Sequence, residues 1–299
     1  MKFRTRLEKT SGPSVVAIGN FDGFHAGHKK IVETLRTTAR REGLQSVILT
    51  FRPHPRVYFQ QPIELISTDR QRLEILRRQE PDYLFFIPFA GIVDCPAADF
   101  VQRILLGTLR MKVLIVGHDF RCGRDREGDL AFLRRQAAAT PFAIIRPRTL
   151  RSGGSRIGSS IIRKKLAAGS IAEANRMLGH PYAIEGIVEK GAGRGKKLGF
   201  PTINIATANQ ILPPGVFHSQ TLVGAQCWPS LTNIGSAPTF ADPPAVRVRI
   251  ETHIPGFARM IYGKKVTIFF IKKLRPEIKF DSSRALIEQI RLDVASLKI

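Results

Sequence analysis

The stretch Val15-Val16-Ala17-Ile18-Gly19-Asn20-Phe21-Asp22-Gly23-Phe24-His25-Ala26-Gly27-His28 constrains this chain more than any other. An apolar run of strand length meets a glycine-rich turn, and Ile31, Val32, Leu35 and Ala39 then recur at helical spacing. A buried strand therefore hands over to a helix N-terminus, with His25 and His28 at the corner. Backbone N–H groups and the helix dipole favour a phosphate at such a corner. Imidazoles there can hydrogen-bond a phosphoryl group and, when protonated, partly neutralise it. Glycines let a nucleotide approach the backbone closely. The blander reading is a tight βα turn whose histidines only cap the helix.

The rest of the first half repeats the alternation. Ser46–Phe51 reads as a buried strand running into Arg52-Pro53-His54-Pro55, where two prolines impose an extended loop. Thr68-x-x-Gln71 has capping-box spacing and starts a helix carrying Leu73 and Leu76. Leu84–Phe89, Lys112–Gly117 and Phe142–Ile145 read as further strands, and Pro96 opens a helix with Phe100, Val101, Ile104 and Leu105. Near-continuous apolar strands separated by helices predict a parallel sheet covered on both faces. Ligands of such sheets bind beyond the carboxyl ends of the strands. The His25/His28 turn, the 52–55 loop and Gly117-His118-Asp119-Phe120-Arg121-Cys122-Gly123 converge there. A fourth segment, Arg156-Ile157-Gly158-Ser159-Ser160-Ile161-Ile162-Arg163, offers Ser159 or Ser160 as an N-cap. Arg163 lies about one turn in, where a guanidinium can clamp a polyphosphate. Taken alone, that segment is an ordinary capped helix with a surface arginine.

Bulk properties set outer bounds. A length of 299 residues suggests two domains. No apolar run approaches the ~20 residues of a membrane span, and no apolar h-region follows the basic N-terminus. Cys95, Cys122 and Cys227 make neither a disulfide framework nor a zinc spacing, which predicts a reducing cytoplasm. The net charge of +23 admits a nucleic-acid partner. The charges are scattered through predicted helices (Arg36, Arg40 and Arg41; Arg70, Arg72, Arg77 and Arg78), without a basic tail or zinc-finger or RNP-type motif. A solvated basic surface that attracts phosphorylated substrates is therefore preferred.

Ser170-x-x-Glu173 has capping-box spacing and starts a short helix carrying Ala174, Met177 and Leu178, ended by Gly179. Beyond His180-Pro181 the period turns strand-like, which places the domain boundary near residue 180, giving 1–180 and 181–299. Tyr182–Val188 is a strand. It leads into Gly191-Ala192-Gly193-Arg194-Gly195-Lys196-Lys197-Leu198-Gly199-Phe200-Pro201-Thr202-Ile203-Asn204, a loop suited to wrapping polyphosphate. It is neither a Walker A motif nor a Rossmann fingerprint, and by itself it is a basic surface loop. Gly215–Leu222, Ala225–Ile234, Val246–Ile254 and Val266–Ile271 read as short strands of a small antiparallel barrel. A last helix, about Ser283 to Leu297, carries Leu286, Ile290, Val294 and Leu297 on one face.

Gly19-x-Phe21-Asp22-Gly23-x-His25-x-Gly27-His28 resembles the nucleotidyltransferase signature of the bacterial bifunctional riboflavin kinase/FMN adenylyltransferase family, the FAD synthetases. The pattern continues as Phe51-x-Pro53-His54-Pro55, Val116-Gly117-x-Asp119-Phe120-x-x-Gly123 and Ser159-Ser160-x-Ile162-Arg163. In the second half Gly193-Arg194-Gly195 and Leu198-Gly199-Phe200-Pro201-Thr202-x-Asn204 resemble the riboflavin kinase signature. Asn233-Ile234-Gly235-x-x-Pro238-Thr239-Phe240, Glu251-x-His253 and Leu274-Arg275-x-Glu277-x-Lys279-Phe280 extend it. The resemblance spans about residues 14 to 295 and implies a Rossmann-like module followed by a riboflavin-kinase-like barrel with a terminal helix. It implies two ATP-dependent reactions, riboflavin to FMN and FMN to FAD, with ADP and pyrophosphate as leaving products.

Several residue roles follow from the resemblance. His25, His28 and Arg163 would act in adenylyl transfer. Gly19, Phe21, Asp22, Gly27, Gly117, Asp119, Ser159 and Ser160 would bind its ATP, and Phe51, Pro53, His54 and Pro55 its flavin. In the kinase, Gly191, Gly193, Arg194, Gly195, Lys197, Gly199 and Pro201 would bind ATP, and Thr202 and Asn204 would hold Mg²⁺ arriving with it. Glu251 would take the proton of the ribityl 5′-hydroxyl; for an arbitrary strand glutamate, pairing with Arg247 or Arg249 would be the better reading. Gly158 stands where relatives carry Ser, Cys122 where they carry an aromatic, and Phe217 where they carry Tyr. Three rivals stay open: a kinase whose adenylyltransferase module is weakened at Gly158 and Cys122, a basic RNA-binding protein on a nucleotide-binding fold, and a non-catalytic flavin-binding regulator.

Overall fold

The computed structural model describes residues 1–191, 193–238 and 246–297; the side chains of Arg194, Lys197 and residues 236–238, 246 and 247 also lie outside the described set. Thr239 and Phe240 of the kinase-like pattern fall outside it. The chain forms two compact units, Met1–Gly158 and Ser159–Ile299. Among the described residues no helix is long and apolar enough to cross a membrane.

The first unit is built on a six-stranded parallel sheet of β1 (Lys2–Arg4), β2 (Ser14–Ile18), β3 (Gln45–Arg52), β4 (Tyr83–Pro88), β5 (Met111–Ile115) and β6 (Ala143–Ile145), in the order β1-β4-β3-β2-β5-β6. Every residue of β2 is buried. Val16 and Ile18 pack into one layer with Phe100, Leu105 and Leu133; Val15 and Ala17 face the other, with Ile31, Leu35 and Leu76. That two-sided burial is why the strand is apolar throughout rather than alternating. The order reverses between β2 and β5. Open α/β sheets leave a crevice at such a reversal, beyond the strands' carboxyl ends.

Helices Ala26–Glu42, Asp69–Arg77 and Leu130–Ala139 flank the sheet. The capping box at Thr68 forms in both directions: Thr68 Oγ1 accepts from the Gln71 N–H at 3.2 Å, and Gln71 Oε1 from the Thr68 N–H at 2.9 Å. The helix after Pro96 begins at Ala97–Asp99 and winds as a π-helix over Phe100–Thr108. The proline loop is less extended than expected, because Pro55–Tyr58 is a single helical turn. Pro55 suits a first helical position, where its missing N–H is not needed, and His54 Nδ1 caps the turn by accepting from the Arg56 N–H at 3.2 Å. A hairpin of β7 (Arg151–Ser152) and β8 (Ser155–Arg156) closes the unit.

A buried arginine fixes the carboxyl ends of the central strands. Arg72 is 2% exposed. Its Nη1 donates to the Asn20 carbonyl at 2.8 Å, and its Nη2 to the Phe51 carbonyl at 2.7 Å and to Asp69 Oδ1 at 2.8 Å. The guanidinium lies 4.9 Å from the centre of the Phe86 ring. One side chain thus joins the turn after β2, the end of β3 and the start of helix Asp69–Arg77.

In the second unit, β9 (Tyr182–Glu189), β10 (Thr202–Thr207), β11 (Gly215–Val223), β12 (Gln226–Pro238), β13 (Val246–His253) and β14 (Lys265–Arg275) form a closed antiparallel barrel in the order β10-β13-β12-β11-β14-β9. Strand β10 has no counterpart in the sequence reading, which kept Thr202 and Asn204 in a loop; its residues are only half-buried, so the period-two signal is weak. Ile184, Phe217, Ile268 and Phe270 are fully buried. Among them runs a buried hydroxyl chain: Thr221 to Ser230 at 2.8 Å, Ser230 to Ser219 at 2.9 Å, Ser219 to Thr232 at 2.8 Å and Thr232 to Thr252 at 2.9 Å. Buried hydroxyls are tolerated when each finds a partner.

Helices Ser159–Ala167 and Ile171–Leu178 precede the barrel. Asn175 ties the second to the barrel, donating to the Phe270 carbonyl at 2.8 Å and accepting from the Tyr182 N–H at 2.8 Å. Gly179 ends it in the left-handed conformation, as expected. The expected capping box does not form: Ser170 sits at the N-cap without a side-chain cap bond, and Glu173 pairs with Lys165 at 2.7 Å instead. The terminal helix Ser283–Ala295 is a strut, because Arg275 of β14 grips the buried Asp293 through Nε at 3.1 Å and Nη2 at 2.8 Å.

Two stability outcomes follow. Thr232→Val removes a shared partner from Ser219 and Thr252 at constant shape and should destabilise the barrel by about 1–3 kcal/mol, read in urea from the fluorescence of Trp228, the chain's single tryptophan. Arg72→Leu strips two carbonyls of their donor and should lower the first unit's stability by about 3 kcal/mol. Its far-UV transition should move while the Trp228 signal keeps its midpoint.

Candidate functional site

Two loci gather the sequence-predicted residues. The first lies at the reversal between β2 and β5. Ala17 pairs with Ile115, so Gly19 and Gly117 leave neighbouring strands on the same edge. Phe21 is fully buried in a left-handed conformation (φ 52°) and starts a 3₁₀ turn over Asp22–Phe24. A buried aromatic in that conformation is held only by its surroundings. Asp22 is buried and accepts from the Ser67 N–H at 3.0 Å and the Ile66 N–H at 3.3 Å. Its carboxylate thus anchors the segment leading to helix Asp69–Arg77.

His25 is the N-cap of helix Ala26–Glu42, and its Nδ1 accepts from the His28 N–H at 3.3 Å. That bond leaves the proton of a neutral His25 on Nε2, free to donate. The rings of His25 and His28 stack at 3.7 Å and 14°, with the Phe21 ring edge-on to His28 at 5.2 Å. Gly27 makes room for the stack, since a Cβ there would lie 3.1 Å from the His25 ring. Both histidines are held neutral. Desolvation lowers His25 to about 4, against smaller opposing effects of Asp22 and Asp119. Desolvation and then the His25 charge keep His28 well below its usual value, and its buried Nδ1 has no hydrogen-bond partner. In the ligand-free protein the pair therefore carries no charge and offers ring N–H groups as donors.

Asp119, on the loop after β5, is exposed and pairs with Arg156 at 3.3 Å. Nothing in the sequence around Arg156 signals this pairing, because the residue sits on a short hairpin. Cys122 is buried in the sheet's core layer, and burial pushes its thiol up to about 12. It is a packing residue.

Phe51 is buried at the end of β3, and the buried His54 caps the next turn. Beside Pro53 and Pro55 stands an aromatic group that the sequence reading missed. Tyr58 and Phe59 are exposed, and both meet Phe89 edge-on, at 5.3 and 5.8 Å. The signal was present as an apolar Val57-Tyr58-Phe59 run in an otherwise polar segment.

The second locus is an outer face of the barrel. Asn204 on β10 stands opposite Glu251 on β13, and Glu251 stands opposite Asn233 on β12. Directly opposed residues share a face, and neighbouring Thr252 is fully buried inside, so this row points outward. Thr202 stands opposite His253, whose Nδ1 donates to the Pro201 carbonyl at 2.8 Å. The loop before β10 folds back over this row: a Cβ at Gly191 would collide with the Asn204 amide, and one at Gly195 with the Phe200 carbonyl. Gly193 and Gly199 take left-handed conformations on either side of a short helix, Arg194–Lys197. Asn233 Nδ2 lies 3.5 Å from Glu277, a second exposed carboxylate of this face. Among the described residues no three His, Cys, Asp or Glu side chains come together as a metal cluster. The oxygens on offer are a threonine hydroxyl, the amides of Asn204 and Asn233 and the carboxylates of Glu251 and Glu277.

Ser159 and Ser160 are the first two residues of helix Ser159–Ala167, so both lie inside its first turn, and Arg163 lies one turn further on. All three belong to the second compact unit. A side chain at Gly158 would meet nothing within 4 Å.

Comparison with known proteins finds two family models along the chain. The FAD synthetase family model matches residues 7–161, and the riboflavin kinase model residues 178–299. The bifunctional riboflavin kinase/FMN adenylyltransferase of Escherichia coli (strain K12) is 35% identical over 291 residues, covering 93% of this chain and 90% of that protein. Its counterpart in Bacillus subtilis (strain 168) is 30% identical over 293 residues, covering 96% and 92%. A crystal structure from Streptococcus pneumoniae, described as a macrolide-efflux protein, shares the fold with a TM-score of 0.87 at 25% identity, covering 97% of this chain and 95% of that one. With both family models in sequence and relatives matching from end to end, this chain belongs to the bifunctional riboflavin kinase/FMN adenylyltransferase family.

Proposed function

We propose that this chain makes both flavin cofactors, phosphorylating riboflavin to FMN with ATP and then adenylylating FMN to FAD. The observation that carries the reading is the presence, in one chain, of both matched modules with a phosphate-type corner in one and a carboxylate row in the other. It favours the bifunctional reading over a lone kinase and over an RNA-binding protein.

In adenylyl transfer an FMN phosphate oxygen attacks the α-phosphorus of ATP, and the bond to the β-phosphoryl oxygen breaks, releasing pyrophosphate. Charge builds on the α-phosphoryl oxygens. The neutral histidines suit this by donating fixed hydrogen bonds from a desolvated corner, where such donors act strongly. The first turn of helix Ala26–Glu42 adds its dipole. Phe51, Pro53, His54 and Pro55, with Tyr58, Phe59 and Phe89 added, form an apolar edge suited to an isoalloxazine ring. The roles of Gly19, Phe21, Asp22, Gly27, Gly117, Asp119, Ser159, Ser160 and Arg163 rest on the sequence pattern. So does a functional boundary near residue 180, although helices Ser159–Ala167 and Ile171–Leu178 belong to the barrel's compact unit.

In the kinase reaction Glu251 accepts the proton of the ribityl 5′-hydroxyl as that oxygen attacks the γ-phosphorus and ADP leaves. The Thr202 hydroxyl and Asn204 amide beside Glu251 are hard oxygen donors that fit Mg²⁺. When bound with ATP, the ion neutralises phosphate charge. The backbone of Gly191, Gly193, Gly195, Gly199 and Pro201 can approach the phosphates closely, and Arg194 and Lys197 contribute charge from the same loop. Three free thiols, Cys95, Cys122 and Cys227, suit a reducing cytoplasm.

Incubation with riboflavin, ATP and Mg²⁺ should yield FMN and FAD by chromatography; FMN alone would reduce the first module to a binding relic. His28→Ala should abolish FAD formation and spare FMN formation. Glu251→Ala should stop FMN formation and still convert supplied FMN. Simultaneous loss of both products in each folded variant would overturn the two-site reading.

The histidines also set a pH limit. His25 titrates at about 4 in the folded protein against 6.5 unfolded, so between those values the unfolded chain binds more protons. Stability is complete above pH 6.5 and falls as the pH drops towards 4, by on the order of 3 kcal/mol for His25. Urea unfolding of the first unit between pH 7 and 4 should follow this slope. His25→Asn, which keeps an N-cap acceptor, should make it shallower and leave the share of His28, whose pKa is also lowered by burial.

A further inference from the structure

The outward row beside Glu251 does not stop at Asn233. Asn233 stands opposite Val216 on β11, and Val216 opposite Arg275 on β14. Arg275, Val216, Asn233 and Glu251 therefore share one outer face of the barrel. The row thus runs from the carboxylate assigned to the kinase reaction to the arginine that holds the terminal helix.

Arg275 is gripped from several sides. Its Nε and Nη2 fork onto Asp293, whose Oδ1 also accepts from Gln289 Nε2 at 3.0 Å. Its Nη1 donates to the Pro276 carbonyl at 3.3 Å, and its guanidinium lies 5.8 Å from the centre of the Phe280 ring. The helix that carries Asp293 is tied to the barrel a second time, where Ser296 Oγ lies 2.8 Å from His218 Nε2 on β11. One side chain thus brackets the loop 276–280 at both ends, and Glu277 stands in that loop. Its carboxylate reaches back to the row. It lies against Gly235, where a Cβ would collide with it, and it accepts from Asn233 Nδ2 at 3.5 Å. That distance is the outer limit of a hydrogen bond, so a small retreat of the loop breaks it. The other edge of the same amide, Oδ1, is buried and has no hydrogen-bond partner among the described residues. Glu277 is therefore the group that sets how the amide is turned.

We propose that Arg275 and Asp293 are positioning residues of the riboflavin kinase reaction, acting through Glu277 on the Asn233 amide beside Glu251. The proposal rests on reading Glu251 as the base of that reaction. A base acts through geometry, so displacing its surroundings lowers turnover more than binding. With the amide held, Glu251 has the same neighbour in every turnover. With it loose, the amide can turn its NH2 group onto the Glu251 carboxylate and draw it away from the ribityl hydroxyl. The terminal helix acts on the site through the loop that it anchors.

The test compares the full-length chain with Glu277→Ala, Glu277→Gln, Asp293→Asn and the double variant Glu277→Ala/Asp293→Asn. FMN formation from riboflavin gives kcat and both KM values, FAD formation from supplied FMN reports the first unit, and urea unfolding followed at Trp228 reports the barrel. Glu277→Ala and Asp293→Asn should each lower the kinase kcat by about ten- to a hundredfold. The KM for riboflavin, the KM for ATP and the rate of FAD formation should not change. Glu277→Gln, which keeps an acceptor for the amide, should retain most of the parent kcat. The double variant should fall no further than the stronger single one, because both residues act along one path. Asp293→Asn should lower the unfolding midpoint and Glu277→Ala should not, so a loss of kcat shared by both is no stability effect. Multiplying losses in the double variant overturn the proposal, as does a kcat that falls only where the midpoint falls. A parent chain that forms no FMN sinks the reading of Glu251 and the proposal with it; a parent that forms FMN no faster than Glu277→Ala sinks the proposal alone.

Discussion

The Arg72 guanidinium is the interaction on which the first unit's corner depends. The turn at Asn20 has no regular secondary structure to complete its hydrogen bonding, and Phe51 stands one residue from the end of β3, yet one planar fork reaches both. Burial of such a cation is costly unless its donors are used. Here two carbonyls, a carboxylate and an aromatic face receive its Nη groups, while the buried Nε is left without a hydrogen-bond partner. The result is mechanical. The histidine turn and the proline loop, assigned to opposite substrates, are held at a fixed separation by a residue that belongs to neither.

Much of this fold was legible because the periods are clean. A strand buried on both faces reads as an unbroken apolar run, and β2 shows why, with successive residues divided between two core layers. The capping box at Thr68 was legible because Ser/Thr-x-x-Gln states its own hydrogen bonds. The same spacing at Ser170 misled, since Lys165 competes for Glu173 and the cap bond is never made. Strand β10 escaped because a glycine-rich segment that covers a half-buried strand has neither alternation nor apolar content. Arg72 and Arg156 escaped for a different reason. An arginine's partners are backbone carbonyls or side chains far along the chain, and nothing local separates a buried staple from a solvated charge.

The two loci solve phosphate chemistry by different physics. At the β2/β5 corner the groups are desolvated and neutral, fixed by stacking and capping. On the barrel the groups stay half-exposed, in a row across adjacent strands, under a loop whose backbone comes close for want of side chains. The first arrangement depends on burial and is sensitive to acid. The second depends on strand pairing.

That row of Asn204, Glu251 and Asn233 has a consequence for how the chain can change over time. Neighbouring strands in a closed barrel cannot slide without breaking every ladder, and a shift by one residue would exchange faces. It would bury Glu251 and expose Thr252, whose hydroxyl now ends the internal chain. Loops around the barrel are free to lengthen or shorten, and β11 already absorbs register shifts against β14, but an insertion in β10, β12 or β13 beside the row would move its members onto opposite faces. The chemistry is written in register, so sequence drift can reshape what surrounds the site while strand length stays locked.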